Sequence, residues 1–290
     1  MKERILITGS TGFIGTNIIN YLLKKNFYVY DILRAKNKKN KRVNKLKKNK
    51  KYRPIFYNKF NELENKLKPL KINTIINCAT YYSTKNDSKT IEKLVQTNII
   101  FCSIVLEALH QKIKKFINFG SMMEYSKNNN FFPKNFYAIT KYFFQRIEKF
   151  YKLKNIKIKF YDLKLYETYG NNDKRKKLIP EIIKNYKKNK TTKIISKNLN
   201  MNFVHIKSLI KIIDMIIFKE IKENEYVVKN KKIIRIKKII EFINKKLNKK
   251  IKVKYLSSKK IDVFNTKLKT FPNWNDTEDL KKFLLENLRY

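Results

Sequence analysis

Ile5-Leu6-Ile7-Thr8-Gly9-Ser10-Thr11-Gly12-Phe13-Ile14-Gly15 is the stretch on which the fold turns. A strand-like run leads into three glycines spaced G-x-x-G-x-x-G, and an amphipathic run follows with Ile14, Ile18 and Leu22 on one face. Strand, glycine loop and helix in that order make a dinucleotide cradle. The first glycine permits the tight turn, the second lets the backbone approach a pyrophosphate, and the third lets the helix pack close to the strand. The phosphates then face unpaired amides at the positive end of a helix. Gly9, Thr11, Gly12, Phe13, Ile14 and Gly15 are the expected cofactor contacts. The chain has only five glycines, and three stand in this loop. The spacing is therefore not a by-product of a glycine-rich composition.

Outward from the loop, short apolar runs alternate with amphipathic stretches, which argues for βαβ units and a parallel sheet. Strands are expected over 4–8, 28–33, 55–57, 74–78, 115–119 and 156–165, and helices over 12–25, 91–109 and 137–153. The expected fold class is α/β. A Rossmann-type doubly wound parallel sheet should occupy residues 1–165, and a smaller C-terminal substrate-binding lobe residues 166–290. The lobe should hold helices over 178–187, 208–218 and 277–288.

With 290 residues, 42% of them hydrophobic, the chain can bury a substantial core. No apolar stretch is long enough and charge-free enough to span a bilayer, and the N-terminal run enters a strand rather than a signal peptide. Cys78 and Cys102 lie in apolar surroundings without metal-ligand spacing, so no metal is expected and a reducing cytoplasm fits. The formal charge of +46 has two readings. One is a nucleic-acid or membrane surface. The other is a composition skewed together toward Lys, Asn, Ile, Tyr and Phe, as an AT-rich coding sequence produces. The lysines are spread along the whole chain, which favours the second. No specific nucleic acid and no membrane is expected as a partner. The densest run, Lys36 to Lys51, reads as a solvated loop able to raise the local concentration of a phosphate-bearing ligand.

The second strand ends Tyr30-Asp31-Ile32-Leu33-Arg34. An acidic residue at such a tip suits NAD, whereas an arginine accommodates the extra phosphate of NADP. Asp31 comes early and should point along the strand, while Arg34 stands at the tip. NADP is the expected cofactor and NAD the alternative.

Tyr137-Ala138-Ile139-Thr140-Lys141 sets a phenol and an ammonium on one helical face. A nearby cation favours the phenolate, which equips the tyrosine for proton transfer. The fifth strand runs out through Asn118-Phe119-Gly120-Ser121, placing a hydroxyl where open α/β folds bind ligands. Ser121 could donate to the carbonyl oxygen that Tyr137 protonates.

Together these elements resemble the extended short-chain dehydrogenase/reductase family, which acts on nucleotide sugars, over nearly the whole chain. Ile75 to Thr80 resembles the family's fourth strand, whose end flanks the cofactor. Asn98 falls at a helix asparagine, and Leu165 to Gly170 resembles the strand and turn beyond the lysine. Asn202 to Ile206 and Asn273-Trp274 resemble substrate-lobe segments. The resemblance implies a catalytic set of Ser121, Tyr137 and Lys141. It also implies cofactor contacts from Ala79, Tyr137 and Lys141, substrate contacts from Thr80, Met122 and Glu167, and a homodimer; Arg175, with Lys176, reads either as a contact for a substrate diphosphate or as part of a solvated face. The chain departs from the family pattern at Lys164, usually arginine, at Glu167, often asparagine, and at Asn171, Met201 and Lys207.

The residues after the serine narrow the reaction. The family's dehydratases and decarboxylases carry acids there for proton transfer, and Met122 and Met123 cannot serve. Ketone reduction and epimerisation remain. Met123-Glu124-Tyr125 and the 166–170 strand resemble nucleotide-sugar 4-ketoreductases that finish deoxysugars. The leading expectation is hydride transfer to C4 of a nucleoside-diphosphate 4-keto-6-deoxy sugar, with Tyr137 as acid. A 4-epimerase with tightly bound NAD is the alternative, and a non-catalytic RNA-binding module the remote one.

Overall fold

The central strand explains the layering. In β1 (Arg4–Thr8), Ile5, Leu6, Ile7 and Thr8 are all fully buried, so both faces of the sheet are covered there. That pattern belongs to a parallel sheet with helices on each side. The computed structural model describes residues 3–125 and 131–289. The chain divides into two compact units: Met1–Lys164 with Lys222–Tyr226 and Thr266–Lys269 form one, and the remaining segments the other.

The first unit continues through α1 (Phe13–Lys24), β2 (Tyr28–Arg34), α2 (Lys41–Lys47), β3 (Tyr52–Tyr57), α3 (Phe60–Leu67) and β4 (Thr74–Asn77). It then runs through α4 (Ser88–Val95), α5 (Phe101–Leu109), β5 (Lys115–Ser121), α6 (Phe136–Lys154) and β6 (Lys159–Leu165). Next come β7 (Glu167–Tyr169), α7 (Leu178–Lys187), β8 (Thr192–Ile194), β9 (Asn200–Met201), β10 (Phe203–His205), α8 (Ile206–Phe218) and β11 (Asn224–Val228). The chain closes with β12 (Ile234–Arg235), α9 (Ile236–Asn244), β13 (Val253–Tyr255) and α10 (Leu280–Leu288).

The main sheet has seven strands in the order β11-β6-β5-β4-β1-β2-β3. β1 pairs in parallel with β2 and β4, as do β2 with β3 and β4 with β5. The chain winds outward from β1 to β3, then crosses back to β4 and winds the other way. The α/β fold class read from sequence is the one observed, and the reversal beside β1 is where such sheets bind ligands. One core layer packs Leu6, Ile75 and Phe116 against Leu63 and Leu67 of α3, Val105 and Leu106 of α5, and Phe144 of α6. The second unit has its own core, built around Ile179, Ile239, Ile243 and Leu284.

Two differences from the sequence reading bear on the site. The lysine run is not a loop: a 3₁₀ turn, Ala35–Lys39, leads into α2. Asn40 caps that helix, accepting from the amides of Arg42 (3.0 Å) and Val43 (3.4 Å), and Val43 at 1% exposure anchors it. Val43 and Leu46 are the only apolar residues of this helix, too few among its basic residues to show a period. The expected helix over 91–109 is broken by a π-helical turn, Gln96–Ile100, centred on fully buried Asn98.

Removing the Asn40 cap should cost about 1 kcal/mol. Urea denaturation of Asn40→Ala should show a lower midpoint with an unchanged slope, and an unshifted midpoint would contradict the helix assignment.

Candidate active site

Three loops leave the carboxyl ends of β1, β4 and β5. A buried row of side chains registers them. Thr8 Oγ1 donates to Asn77 Oδ1 (2.7 Å), Asn77 Nδ2 donates to Asn118 Oδ1 (3.1 Å), and the Ala79 amide donates back to Thr8 Oγ1 (3.0 Å). Gly9 turns the first loop with φ +65°, and a Cβ there would stand 2.5 Å from the backbone of Cys78 and Ala79. Gly12 differs: its Cβ would meet only the Gly9 carbonyl, at 3.3 Å. The protein's own packing presses on that position less than on Gly9, and a phosphate approaching the backbone is a further reason for a glycine there. Gly12 is the N-cap of α1 and offers no side-chain cap, and the first turn carries no acid. Thr11 and Gly12 are exposed, and Phe13 and Ile14 half-buried. This loop fits a dinucleotide pyrophosphate.

Beside the loop lies a polar cluster that sequence reading saw only in part. Asp31, fully buried, accepts from Ser10 Oγ (2.8 Å) and the Tyr52 hydroxyl (2.6 Å). Arg42, from α2, donates to Thr16 Oγ1 (2.7 Å) and to the Ser10 carbonyl. Burial pushes the Asp31 carboxyl from 3.8 up to about 6, against the pull of Tyr52, Ser10 and Arg42. Asp31 is thus committed within the protein, while Arg34 is exposed at the end of β2, hydrogen-bonded to Tyr57. Tyr52 and Arg42 are 21 and 11 residues from Asp31 in sequence, and no local pattern announces them.

The catalytic candidates converge on the ends of β5 and α6. Ser121 ends β5 and opens a 3₁₀ turn, Met122–Glu124. The Met123 amide donates to Ser121 Oγ (3.2 Å), which leaves the hydroxyl hydrogen to be donated elsewhere. The Phe132 and Lys134 amides donate to the Glu124 and Met123 carbonyls (3.0 and 2.9 Å), tying the entry of α6 to this turn. Asn135 caps α6 by accepting from the Ala138 amide (3.0 Å). Tyr137 is then the second helical residue and Lys141 stands one turn on, at 2% exposure. The Tyr82 ring meets Tyr137 edge-on, with centroids 5.0 Å apart.

Asn98 braces the other side. Its Oδ1 accepts from the Tyr81 amide (2.8 Å) and from Thr80 Oγ1 (3.2 Å), and its Nδ2 donates to the Tyr81 carbonyl (3.0 Å) and Thr140 Oγ1 (3.0 Å). The π-helical turn lets one asparagine reach both the segment after β4 and the helix bearing Lys141. Ala79 is buried and Thr80 exposed at that segment.

Of the expected substrate residues, Met122 is 2% exposed. Glu167 and Arg175 belong to the second unit. There Glu167 accepts from Lys177 (2.7 Å), and Arg175 grips Asp173 (2.7 and 2.8 Å) and the Thr168 carbonyl (2.7 Å). His205 is packed rather than displayed, with its ring edge-on to Tyr169 at 4.9 Å. Sequence reading missed Glu124 as a partner of Ser121, although Ser121-x-x-Glu124 has the spacing of a capping box.

The raised Asp31 pKa fixes the sign of a pH effect. Between about pH 6 and 4 the folded protein holds a proton that the unfolded chain has released, so this group's contribution to stability rises as pH falls through that window. Asp31→Asn should flatten that part of the stability profile relative to wild type. Urea midpoints from pH 4 to 7 that run parallel in the two proteins would contradict it.

The family model described as the NAD dependent epimerase/dehydratase family matches residues 5–228. The chain is 24% identical over 260 residues to CDP-abequose synthase of Salmonella muenchen, covering 88% of this chain and 84% of that protein. It is 29% identical over 214 residues to CDP-abequose synthase of Yersinia pseudotuberculosis, covering 72% and 71%. In fold it is similar to UDP-glucuronic acid 4-epimerase from Bacillus cereus in complex with UDP-glucuronic acid and NAD. That match has a TM-score of 0.81 at 20% identity and covers 99% of this chain and 98% of that one.

Proposed function

Because the chain belongs to the NAD dependent epimerase/dehydratase family, and so is an enzyme of the extended short-chain dehydrogenase/reductase type, we propose that it reduces a nucleoside-diphosphate 4-keto-6-deoxy sugar at C4. The observation that carries this reading is the turn after Ser121. Met122 and Met123 hold no acid or base, and Glu124 is fully buried, spent on the Ser121 amide and on Lys164. Eliminating water or assisting decarboxylation needs a proton-transferring group facing the sugar. Among the described residues of this turn there is none. The similarity to two CDP-abequose synthases over most of the chain supports the same reading.

In this reading Tyr137 gives its phenolic proton to the keto oxygen, and Ser121 donates a hydrogen bond that holds that oxygen. Lys141 favours the phenolate left behind and would also hold the cofactor ribose. When bound, a nicotinamide dinucleotide supplies the hydride that adds to C4. The loop residues Gly9 to Gly15 would hold its pyrophosphate, with Ala79 alongside. Thr80 and Met122 are the proposed substrate contacts of the first unit. NADP is the preferred form, supported by the exposed Arg34 and by the commitment of Asp31 to Ser10 and Tyr52. A homodimer is supported by α6, which leaves Phe143, Phe150 and Leu153 exposed at 54%, 51% and 82%. A 4-epimerase would use the same Tyr137, Ser121 and Lys141 but with retained NAD.

Incubating the protein with a CDP-4-keto-6-deoxy sugar and NADPH should oxidise the cofactor in step with loss of the keto group. Tyr137→Phe should lower kcat by about 100- to 10,000-fold. Interconversion of 4-hydroxy epimers without net cofactor consumption would establish the epimerase instead.

Cofactor choice has its own readout. Arg34→Ala should raise the KM for NADPH about tenfold, the loss of one charge-assisted contact, and leave that for NADH nearly unchanged. Equal effects on both would remove Arg34 from the 2′-phosphate site.

A further inference from the structure

Beneath Ser121 lies a buried ionic cluster that the proposed reaction does not use. Lys164, on β6, has a fully buried side chain. Its ammonium meets Glu124 Oε2 at 2.5 Å, Glu225 Oε1 at 3.1 Å and Asp162 Oδ2 at 3.4 Å. The Tyr125 hydroxyl donates to the same Glu225 oxygen (2.6 Å). Lys164 reaches Glu124 only because the residue before the serine is Gly120. A Cβ there would stand 2.5 Å from Lys164 Cδ and 2.6 Å from Asp162 Oδ1.

Glu124 is the link between this cluster and the serine. Its Oε1 accepts the Ser121 amide (2.8 Å) while Oε2 is held by Lys164. Both oxygens accept, and the side chain is 0% exposed. Only a carboxylate can do this. A glutamine would turn its NH₂ toward either the Ser121 N–H or the Lys164 ammonium, and one of the two bonds would be lost. Burying charges is costly, and a buried ion pair often adds little net stability, whereas removing one partner strands a buried charge. Here the paired carboxylate accepts the Ser121 amide, and the Ser121 hydroxyl accepts from the Met123 amide, which leaves its hydrogen to be donated elsewhere.

We propose that Glu124, clamped by Lys164 across Gly120, is a positioning residue that sets the direction in which Ser121 offers its hydroxyl. The inference rests on the reading of Ser121 as the group that holds the reacting oxygen. A hydrogen bond to developing negative charge is steeply sensitive to placement, and loss of one such donor lowers turnover by about 100- to 1,000-fold. A turn released from its clamp should forfeit part of that.

The test is a double-mutant cycle between Ser121→Ala and Glu124→Gln, read as kcat and KM at a temperature where circular dichroism shows each variant folded. Ser121→Ala should lower kcat about 100-fold. In the wild-type background Glu124→Gln should lower kcat about tenfold, with KM values for sugar and cofactor within twofold. In the Ser121→Ala background the same substitution should change kcat less than twofold, because its effect passes through the serine. Equal losses in both backgrounds, or a folded Glu124→Gln enzyme with wild-type kcat, would overturn the proposal. Should Glu124→Gln fail to fold, Glu124→Asp, too short to span both partners, goes through the same cycle under the same criterion. A Ser121→Ala enzyme as active as wild type would bring down the reading of Ser121 itself, a result distinct from additivity in the cycle.

Discussion

The row of hydrogen bonds from Thr8 through Asn77 to Asn118 is the constraint on which the site depends. It crosses three adjacent parallel strands at matched register, Thr8 beside Asn77 and Asn77 beside Asn118. Each bond contributes modestly, about 1 kcal/mol, but the alternative is a buried amide or hydroxyl with no partner. A one-residue slip would send these side chains to the other face of the sheet. The row therefore locks the ends of β1, β4 and β5 level with one another. The glycine loop, the Ala79–Thr80 segment and the Ser121 turn all start from that level.

Two glycines then let polar groups come closer than side chains would allow, each for a different reason. Gly9 brings the loop onto the backbone of Cys78 and Ala79, which joins cofactor loop to fourth strand. Gly120 brings Lys164 under the serine turn. Gly12 is the less constrained of the loop's glycines: a Cβ there would meet only the Gly9 carbonyl, at 3.3 Å. Asn98 completes the frame. A regular helix would present that asparagine to one neighbour, whereas the extra residue of the π-helical turn lets it bond both the segment after β4 and Thr140, next to Lys141.

Much of this was legible, and what was not has a common cause. The glycine spacing, the alternation of strand and helix, and the Tyr137–Lys141 pair are local patterns, and local patterns survive in a single sequence. The helix α2 was hidden because its seven residues contain one buried apolar anchor, Val43, among lysines. The partners that engage Asp31, Ser10 and Tyr52, each lie 21 residues away, beyond the reach of a local pattern. Lys164 stands out in sequence only as a departure from arginine, because its bond to Glu124 spans 40 residues. Half of that arrangement was in plain view as Ser121-x-x-Glu124. The other half depends on β6 lying beside β5, a fact of sheet order rather than of spacing.

The charge of the chain follows from the same division between local and long-range demands. Against 69 basic residues stand 23 acidic ones. Among the described residues the buried acids are Asp31, Glu124, Glu148 and Asp162, and the buried cations are Lys141 and Lys164. All six lie in the first unit, around the glycine loop or behind the serine and lysine. Burial raises the carboxyls of Glu148 and Asp162, and raised pKa values in such a place mark groups held against solvation for a structural or chemical end. On the surface a lysine is nearly neutral in free energy, so composition can drift there at small cost. In the interior each unpaired charge costs several kcal/mol, so drift stops. The excess of lysine therefore sits on the exposed shell, while the buried charges are few and are held in the first unit around the glycine loop and the Ser121 turn.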